Sequence, residues 1–162
     1  MPKFAVDGAM SRAVRKMATS RWFRKVAPSV VPPLDRAVHK ITKGRVSVSG
    51  AIVPNLVLTT IGRRSGQPRQ SPLACVPDGD GGWYVVGSNF GRESHPLWTE
   101  NLLAEPSASV DYRRQTFPVV AELLDDDAKA EVWPQLIAVW PAYDDYVEVS
   151  GRNLRVFHLT RT

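Results

Sequence analysis

At 162 residues and 43% apolar, the chain has the size and composition of one globular domain with its own core, which leaves a two-domain arrangement without support. No run of 18 apolar residues occurs, and the N-terminal stretch lacks the apolar block and cleavage site of a secretory signal, so a cytoplasmic protein is expected. The net charge of +5 is unevenly placed: residues 1–45 hold 11 of the 21 lysines and arginines but only Asp7 and Asp35 as acids, so a +9 arm precedes a body at −4.

In the arm, Met10, Ala13, Val14 and Met17 recur at helical spacing opposite Arg12, Arg15 and Lys16. The stripe slips at Trp22, Phe23 and Val26, which predicts a break near Thr19 or Ser20 and a second short helix stopping before Pro28. After Pro32 and Pro33, the spacing of Leu34, Val38 and Ile41 predicts a further helix ending at Gly44. A basic amphipathic arm reads equally as a membrane-surface segment or as a helix packed on the body or a partner. Nucleic acid ranks third, because no recognised binding motif accompanies the charge.

The body, residues 46–162, opens with the β-rich run Asn55 to Ile61, and PLACV resumes it after an arginine-rich connection, as in a hairpin. Cys75, the only cysteine, excludes an internal disulfide and a multi-cysteine metal site; its apolar neighbours predict a buried, inert thiol. DGDGG is a turn before the strand WYVVGS. A glycine-containing loop then leads into a short helix carrying Leu97, Trp98, Asn101 and Leu102, stopped by Pro106. SASVDYRR and TFPVVAELL form a strand pair, Asp125 to Trp140 is helical with three acids at the positive end of its dipole, PAYDDYVEVSG is a second helical piece, and LRVFHLT closes as a strand. Five or six strands in antiparallel succession, with helices at the front and inserted late, predict an α+β fold built on a small barrel.

The chemistry concentrates in LTTIGRRSGQPRQSPL. No Asp or Glu occurs between Val46 and Pro77, so Arg63, Arg64 and Arg69 have no local acid to pair with. Gly66 lets the backbone approach a ligand, Ser65 adds a hydroxyl, and arginine forks suit phosphate and carboxylate oxygens. The bland alternative is a solvated turn. His39, His95 and His158 match no metal-ligand spacing and read as structural.

Taken with VVGSNFGRESHPLWTENLLAEP and WPQLIAVWPAYDDY, that stretch resembles the deazaflavin-dependent nitroreductase family of actinobacteria, from about Pro54 to the C-terminus and with all blocks in the family's order. The resemblance implies a split β-barrel binding coenzyme F420, a polyanion ending in a hydride-carrying ring. By similarity, Arg63, Arg64 and Arg69, with the Ser65 and Gly66 amides and the neighbouring Gln67, Pro68 and Ser71, hold the phosphate and tail carboxylates. Gly87, Ser88, Asn89, Phe90 and Gly91 line the ring and ribityl chain, and Pro96, Leu97, Trp98 and Asn101 complete the pocket; core packing is the competing reading for Leu97 and Trp98. Hydride transfer demands mainly positioning, so no catalytic dyad is expected.

Also by similarity, Ser88, Trp140, Tyr143 and Tyr146 face the acceptor, their spacing of three on one helix face being equally that of a core stripe. Asn89 stands where the family commonly has lysine, Ala74 at the place of a substrate-pocket tyrosine, and Trp140 in place of a tyrosine, so nitroimidazole reduction lies outside what the resemblance implies. A quinone or similar activated, apolar acceptor is implied, with nitro compounds reduced opportunistically, and a membrane quinone gives the basic arm a purpose at an anionic inner membrane face, at ~1 kcal/mol per Lys or Arg near the surface. Two other readings stand beside this one: an F420 carrier without turnover, and an FMN-binding relative, against which the arginine motif argues.

Overall fold

The structure, a computed structural model, describes residues 53–162 together with Lys25 and Ser29. Lys25 and Ser29 are helical and exposed. Ser29 lies beyond Pro28, where the second arm helix was expected to have stopped; proline can open a helix as well as end one. The other expected arm helices, His39 and the boundary at residue 45 lie outside the described residues.

Six strands, β1 (Asn55–Ile61), β2 (Pro68–Pro77), β3 (Trp83–Val86), β4 (Ser107–Tyr112), β5 (Gln115–Leu123) and β6 (Val156–Arg161), close a barrel in the order β1-β2-β3-β6-β5-β4. Every pairing is antiparallel, including the β1–β4 pairing that closes it, where Val57 faces Asp111 and Leu58 faces Val110. Within residues 53–162 three α-helices are added: α1 (Leu97–Ala104) between β3 and β4, and α2 (Asp126–Val139) with α3 (Ala142–Ser150) between β5 and β6. The α+β barrel with late helical insertions is what the sequence predicted.

Leu58, Val85, Val110 and Leu159, one from each of four strands, are fully buried inside the barrel and form one core with Trp83, Trp98 and Phe157. Each such aliphatic side chain contributes about 1.5–3 kcal/mol of burial. A second core, with Val86, Leu136, Tyr143, Tyr146 and Val156, seals α2 and α3 to the barrel. Asp125 caps α2 by accepting from the Ala128 amide at 2.8 Å, and Gly151, at φ 63°, ends α3 in the left-handed conformation.

Because β2 runs antiparallel to β1 and β3 antiparallel to β2, the C-terminal ends of β1 and β3 lie at the same end of the barrel. That end carries the arginine turn after β1, the turn after β3 and, from the β3–β6 register, the approach to β6. The opposite end carries the Arg113–Arg114 turn and the Asp78–Gly82 turn, where His158 donates to Asp78 at 2.7 Å.

Candidate functional site

The arginine turn is a tight hairpin connection whose backbone is bound to itself. Gly62 N donates to the Gln67 carbonyl at 2.8 Å, and the Ser65 and Gly66 amides both donate to the Gly62 carbonyl, at 3.2 and 2.7 Å. Gly66 takes φ 66°, which glycine adopts without strain. A Cβ on Gly62 would lie 2.6 Å from Ser65 Oγ. The two amides expected to hold an anion are therefore engaged within the turn, and the guanidinium groups are left as its outward donors. Arg63, Arg64, Ser65, Gly66, Gln67, Pro68 and Arg69 are all exposed and Ser71 is half-buried. Arg69 Nη2 donates to Ser65 Oγ at 3.4 Å. Among the described residues no ion pair engages Arg63, Arg64 or Arg69.

The turn is held to α1 by Asn101. Its Oδ1 accepts from the Arg63 amide at 3.1 Å, and its Nδ2 donates to Thr60 Oγ1 at 3.0 Å. Asn101 is 7% and Thr60 0% exposed, so Asn101 stands behind the turn as its anchor, with both ends of its amide engaged. Beside the turn, Ile61, Gly62, Arg63, Gly66, Ala104, Glu105 and Ser107 line an open cavity of about 400 Å³. None of residues 87–91 lines it.

The second turn, from Gly87 to Arg92, is made by backbone geometry that most residues avoid. Asn89, Phe90 and Gly91 follow one another at φ 47°, 53° and 76°, which asparagine and glycine tolerate and which is costly for Phe90. Gly91 N donates to Ser88 O at 3.0 Å, and Asn89 Nδ2 donates to Ser94 O at 2.9 Å. Gly87 is tightly backed, since a Cβ there would lie 2.8 Å from Thr99 Cγ2. A Cβ on Gly91 would come 3.0 Å from Tyr146 Cδ1. Arg92 reaches the arm, donating to the Lys25 carbonyl at 3.2 Å.

Arg152, which sequence reasoning did not single out, closes this turn from inside. Its Nε donates to Arg92 O at 2.8 Å, its Nη2 to Ser88 O at 2.7 Å and its Nη1 to Gly87 O at 3.4 Å; Nη1 also meets His95 Nδ1 at 2.9 Å. The only local signal was an arginine directly after the Gly151 stop. Arg155 joins the same frame by donating to Thr99 Oγ1 at 3.0 Å and pairing with Glu100 at 2.5 Å. The hydrogen bond from Arg155 holds Glu100 below the ordinary carboxylate value.

Helix α1 thus spaces the two turns, touching the arginine turn through Asn101 and Gly87 through Thr99. Pro96 precedes it, half-buried, and Leu97, its first residue, is 75% exposed. Trp98 is 6% exposed and tilts against Phe157 in the barrel core, as the packing reading expects. Ala74, half-buried, sits opposite Asn55 in β2, and Ser88 is half-buried at the start of its turn. The expected continuous face of Trp140, Tyr143 and Tyr146 is interrupted. Trp140 lies outside both helices, at the C-cap of α2, and Pro141 follows as the N-cap of α3. Tyr143 and Tyr146 are 5% and 1% exposed inside the second core, and burial pushes the Tyr143 hydroxyl's pKa far above its ordinary value. Cys75 is buried as expected, and its thiol is pushed up to about 12.

An exposed cationic turn, tethered by Asn101, is suited to a phosphorylated or carboxylated ligand, and comparison with known proteins indicates which. Residues 34–161 match the family described as F420H(2)-dependent quinone reductase. The chain belongs to that family. An F420H(2)-dependent quinone reductase of Mycobacterium tuberculosis is 31% identical over 151 residues, 90% of this chain and 99% of that one. A solved structure described as an F420-H2 dependent reductase, FDR-A, superposes with a TM-score of 0.61 at 30% identity, over 66% of this chain and 94% of that one. Another, described as a domain-swapped dimer, has a TM-score of 0.63 at 26% identity, over 86% and 97%. Family membership bears out the expected oxidoreductase class, coenzyme F420 as cofactor and a quinone as acceptor.

Proposed function

We propose that the arginine turn and the Gly87–Arg92 turn together seat reduced F420 for hydride transfer to a quinone. The observation that carries this reading is the set of three arginines on one anchored turn, none ion-paired among the described residues. Guanidinium forks match phosphate and carboxylate oxygens, and each such charge-assisted contact is worth about 1.5–3 kcal/mol. Arg63, Arg64 and Arg69 hold the phosphodiester and tail, and Gln67, Pro68 and Ser71 flank them on the start of β2.

Gly87, Ser88, Asn89, Phe90 and Gly91 face the deazaflavin ring and ribityl chain, with Pro96, exposed Leu97 and half-buried Trp140 at the rim. Trp98, Tyr143 and Tyr146 act from behind, by packing the walls, and Asn101 fixes the arginine turn. Ala74 and Ser88 are the acceptor-side positions. When bound, reduced F420 supplies the hydride from its ring C5. The chain's task is to fix the ring's position and leave one face open to the acceptor, which requires no tuned acid or base.

The direct test is oxidation of F420H2 by a soluble quinone, followed by recovery of F420 fluorescence. Turnover with quinone is expected. Tight F420 binding without turnover across a panel of quinones and nitroaromatics would instead support a carrier.

The basic arm is proposed to hold the protein at an anionic membrane surface that contains the quinone. Its +9 charge supports this, and among the described residues no helix is long and apolar enough to cross a membrane. Flotation with vesicles containing anionic lipid is expected for the full chain and lost on Arg12→Glu, Arg15→Glu and Lys16→Glu together. Equal flotation of both proteins would remove the membrane role.

A further inference from the structure

The Gly87–Arg92 turn draws support from outside its own residues. Asn89 and Phe90 both sit in the left-handed region; asparagine visits it readily, but for Phe90 it is costly, and such a conformation persists only when the surroundings over-determine it. The turn's own hydrogen bonds, from Gly91 N to Ser88 O and from Arg92 N to Asn89 O, leave the carbonyl of Gly87 and a second acceptor site on Ser88 O directed away from the turn. One guanidinium, that of Arg152, reaches the carbonyls of Gly87, Ser88 and Arg92. It arrives from 60 to 65 residues further along the chain, set by the left-handed stop at Gly151 and by its own amide donating to Ser150 Oγ at 3.2 Å.

The fourth contact of Arg152 is His95 Nδ1, 2.9 Å from Nη1. Arginine has only donors and keeps its charge in proteins, so the short contact requires an unprotonated Nδ1 as acceptor. A proton on that nitrogen would remove the acceptor and set two cations side by side.

We propose that Arg152 is the positioning residue of the Gly87–Arg92 turn and that protonation of His95 on Nδ1 releases it, making ring placement sensitive to acid. This rests on the reading of that turn as the seat of the deazaflavin ring. The charged groups around His95 are Arg152 and Arg155 from the segment before β6, Glu100 from α1, and Arg92 and Glu93 within its own loop. Burial disfavours the imidazolium, Arg155 and Arg152 disfavour it further, and Glu100 opposes them, so His95 titrates below its ordinary value. The neutral form that accepts from Arg152 therefore predominates at neutral pH, and the contact weakens only as pH falls below that of an ordinary imidazole.

The experiment has two arms on the full chain, with wild type, Arg152→Gln, Arg152→Lys and His95→Asn. In the first, amide hydrogen exchange of the free protein is followed across residues 87–92 from pH 5 to 8, after correction for intrinsic exchange. Arg152→Gln is expected to lose protection there while β1 and β5 keep theirs, and Arg152→Lys to regain part of it. Wild type is expected to lose protection at acid pH, and His95→Asn, whose Oδ1 replaces Nδ1 as acceptor, not to.

In the second arm, Arg152→Gln is expected to lower kcat for F420H2 oxidation roughly ten- to hundred-fold, the scale of an ångström-level misplacement, while the Kd for F420 changes less because the arginine turn is untouched. Wild-type exchange across residues 87–92 in Arg152→Gln, or the same acid-dependent loss in His95→Asn as in wild type, overturns the inference. Absence of turnover in wild type would instead count against the proposed function, and the exchange arm would still decide whether Arg152 and His95 hold the turn.

Discussion

Replacing Asn101 by alanine tests whether the arginine turn is held from behind. The substitution removes the acceptor for the Arg63 amide and the donor to Thr60 Oγ1. Thr60 is 0% exposed, so water cannot replace the lost partner without opening the structure. A buried polar group left unsatisfied costs about 1–3 kcal/mol. The Arg63 amide, partly buried, belongs at the lower end of that range, and the two losses together predict about 2–4 kcal/mol of lost stability. Urea unfolding followed by tryptophan fluorescence measures this as a lower midpoint at unchanged slope. Because the turn also loses its tether, F420 affinity is expected to fall even under conditions where the variant is fully folded. Asn101→Asp, which keeps an acceptor for the Arg63 amide, is expected to lose less affinity. If Asn101→Ala unfolds within 0.5 kcal/mol of wild type and binds F420 equally well, the anchoring argument is wrong.

Other positions test separate parts of the structure. Gly87→Ala places a methyl group 2.8 Å from Thr99 Cγ2 and is expected to cost about 1–3 kcal/mol in unfolding experiments; adding Thr99→Ser, which removes that methyl, should recover part of it, and simple additivity would contradict the steric account. Asp78 titrates below the ordinary carboxylate value: burial opposes the shift, and hydrogen bonds from His158 and from the amides of Asp80 and Gly82 overcome it. A lowered folded-state value means that this stabilisation is complete above the unfolded carboxylate value of about 3.9 and is lost as pH falls through the folded one. Asp78→Asn should therefore flatten the fall in Tm between about pH 5 and pH 2, and parallel Tm curves would refute the assignment. Tyr146→Phe keeps the packing volume and is expected to leave the KM for quinone within about three-fold, whereas Tyr146→Ala should cost about 3–5 kcal/mol of stability; a large KM rise in the phenylalanine variant would make Tyr146 an acceptor contact.

The strands were legible because their signals are local. NLVLTTI and WYVV are β-rich runs bounded by proline or glycine, VFHLT is a β-rich run between two arginines, and the Asp125 cap marks the start of α2. Barrel closure was not readable in the same way, since the β1–β4 pairing joins segments about 50 residues apart with no turn between them to set the register. The joint at Pro141 was legible as the boundary between two helical pieces, but the helical spacing of Trp140, Tyr143 and Tyr146 suggested one face carried across it, which the joint interrupts. In the candidate site, the arginine turn was visible as an excess of cations without local acids. Its support was not: Asn101 is polar and buried for the sake of a turn 38 residues away, and Arg152 serves backbone carbonyls, which any residue supplies. The engagement of the Ser65 and Gly66 amides by Gly62 likewise depends on the turn's closure rather than on residue type.

The central claim is that the exposed arginine turn is the anion clamp for F420. Fluorescence titration of the full chain with F420 and with FMN, beside Arg63→Ala and Arg69→Ala, tests it most directly. Selective F420 binding is expected, weakened about 10- to 100-fold by either substitution, the effect of losing about 1.5–3 kcal/mol. FMN preference, or F420 binding indifferent to both arginines, would contradict the account.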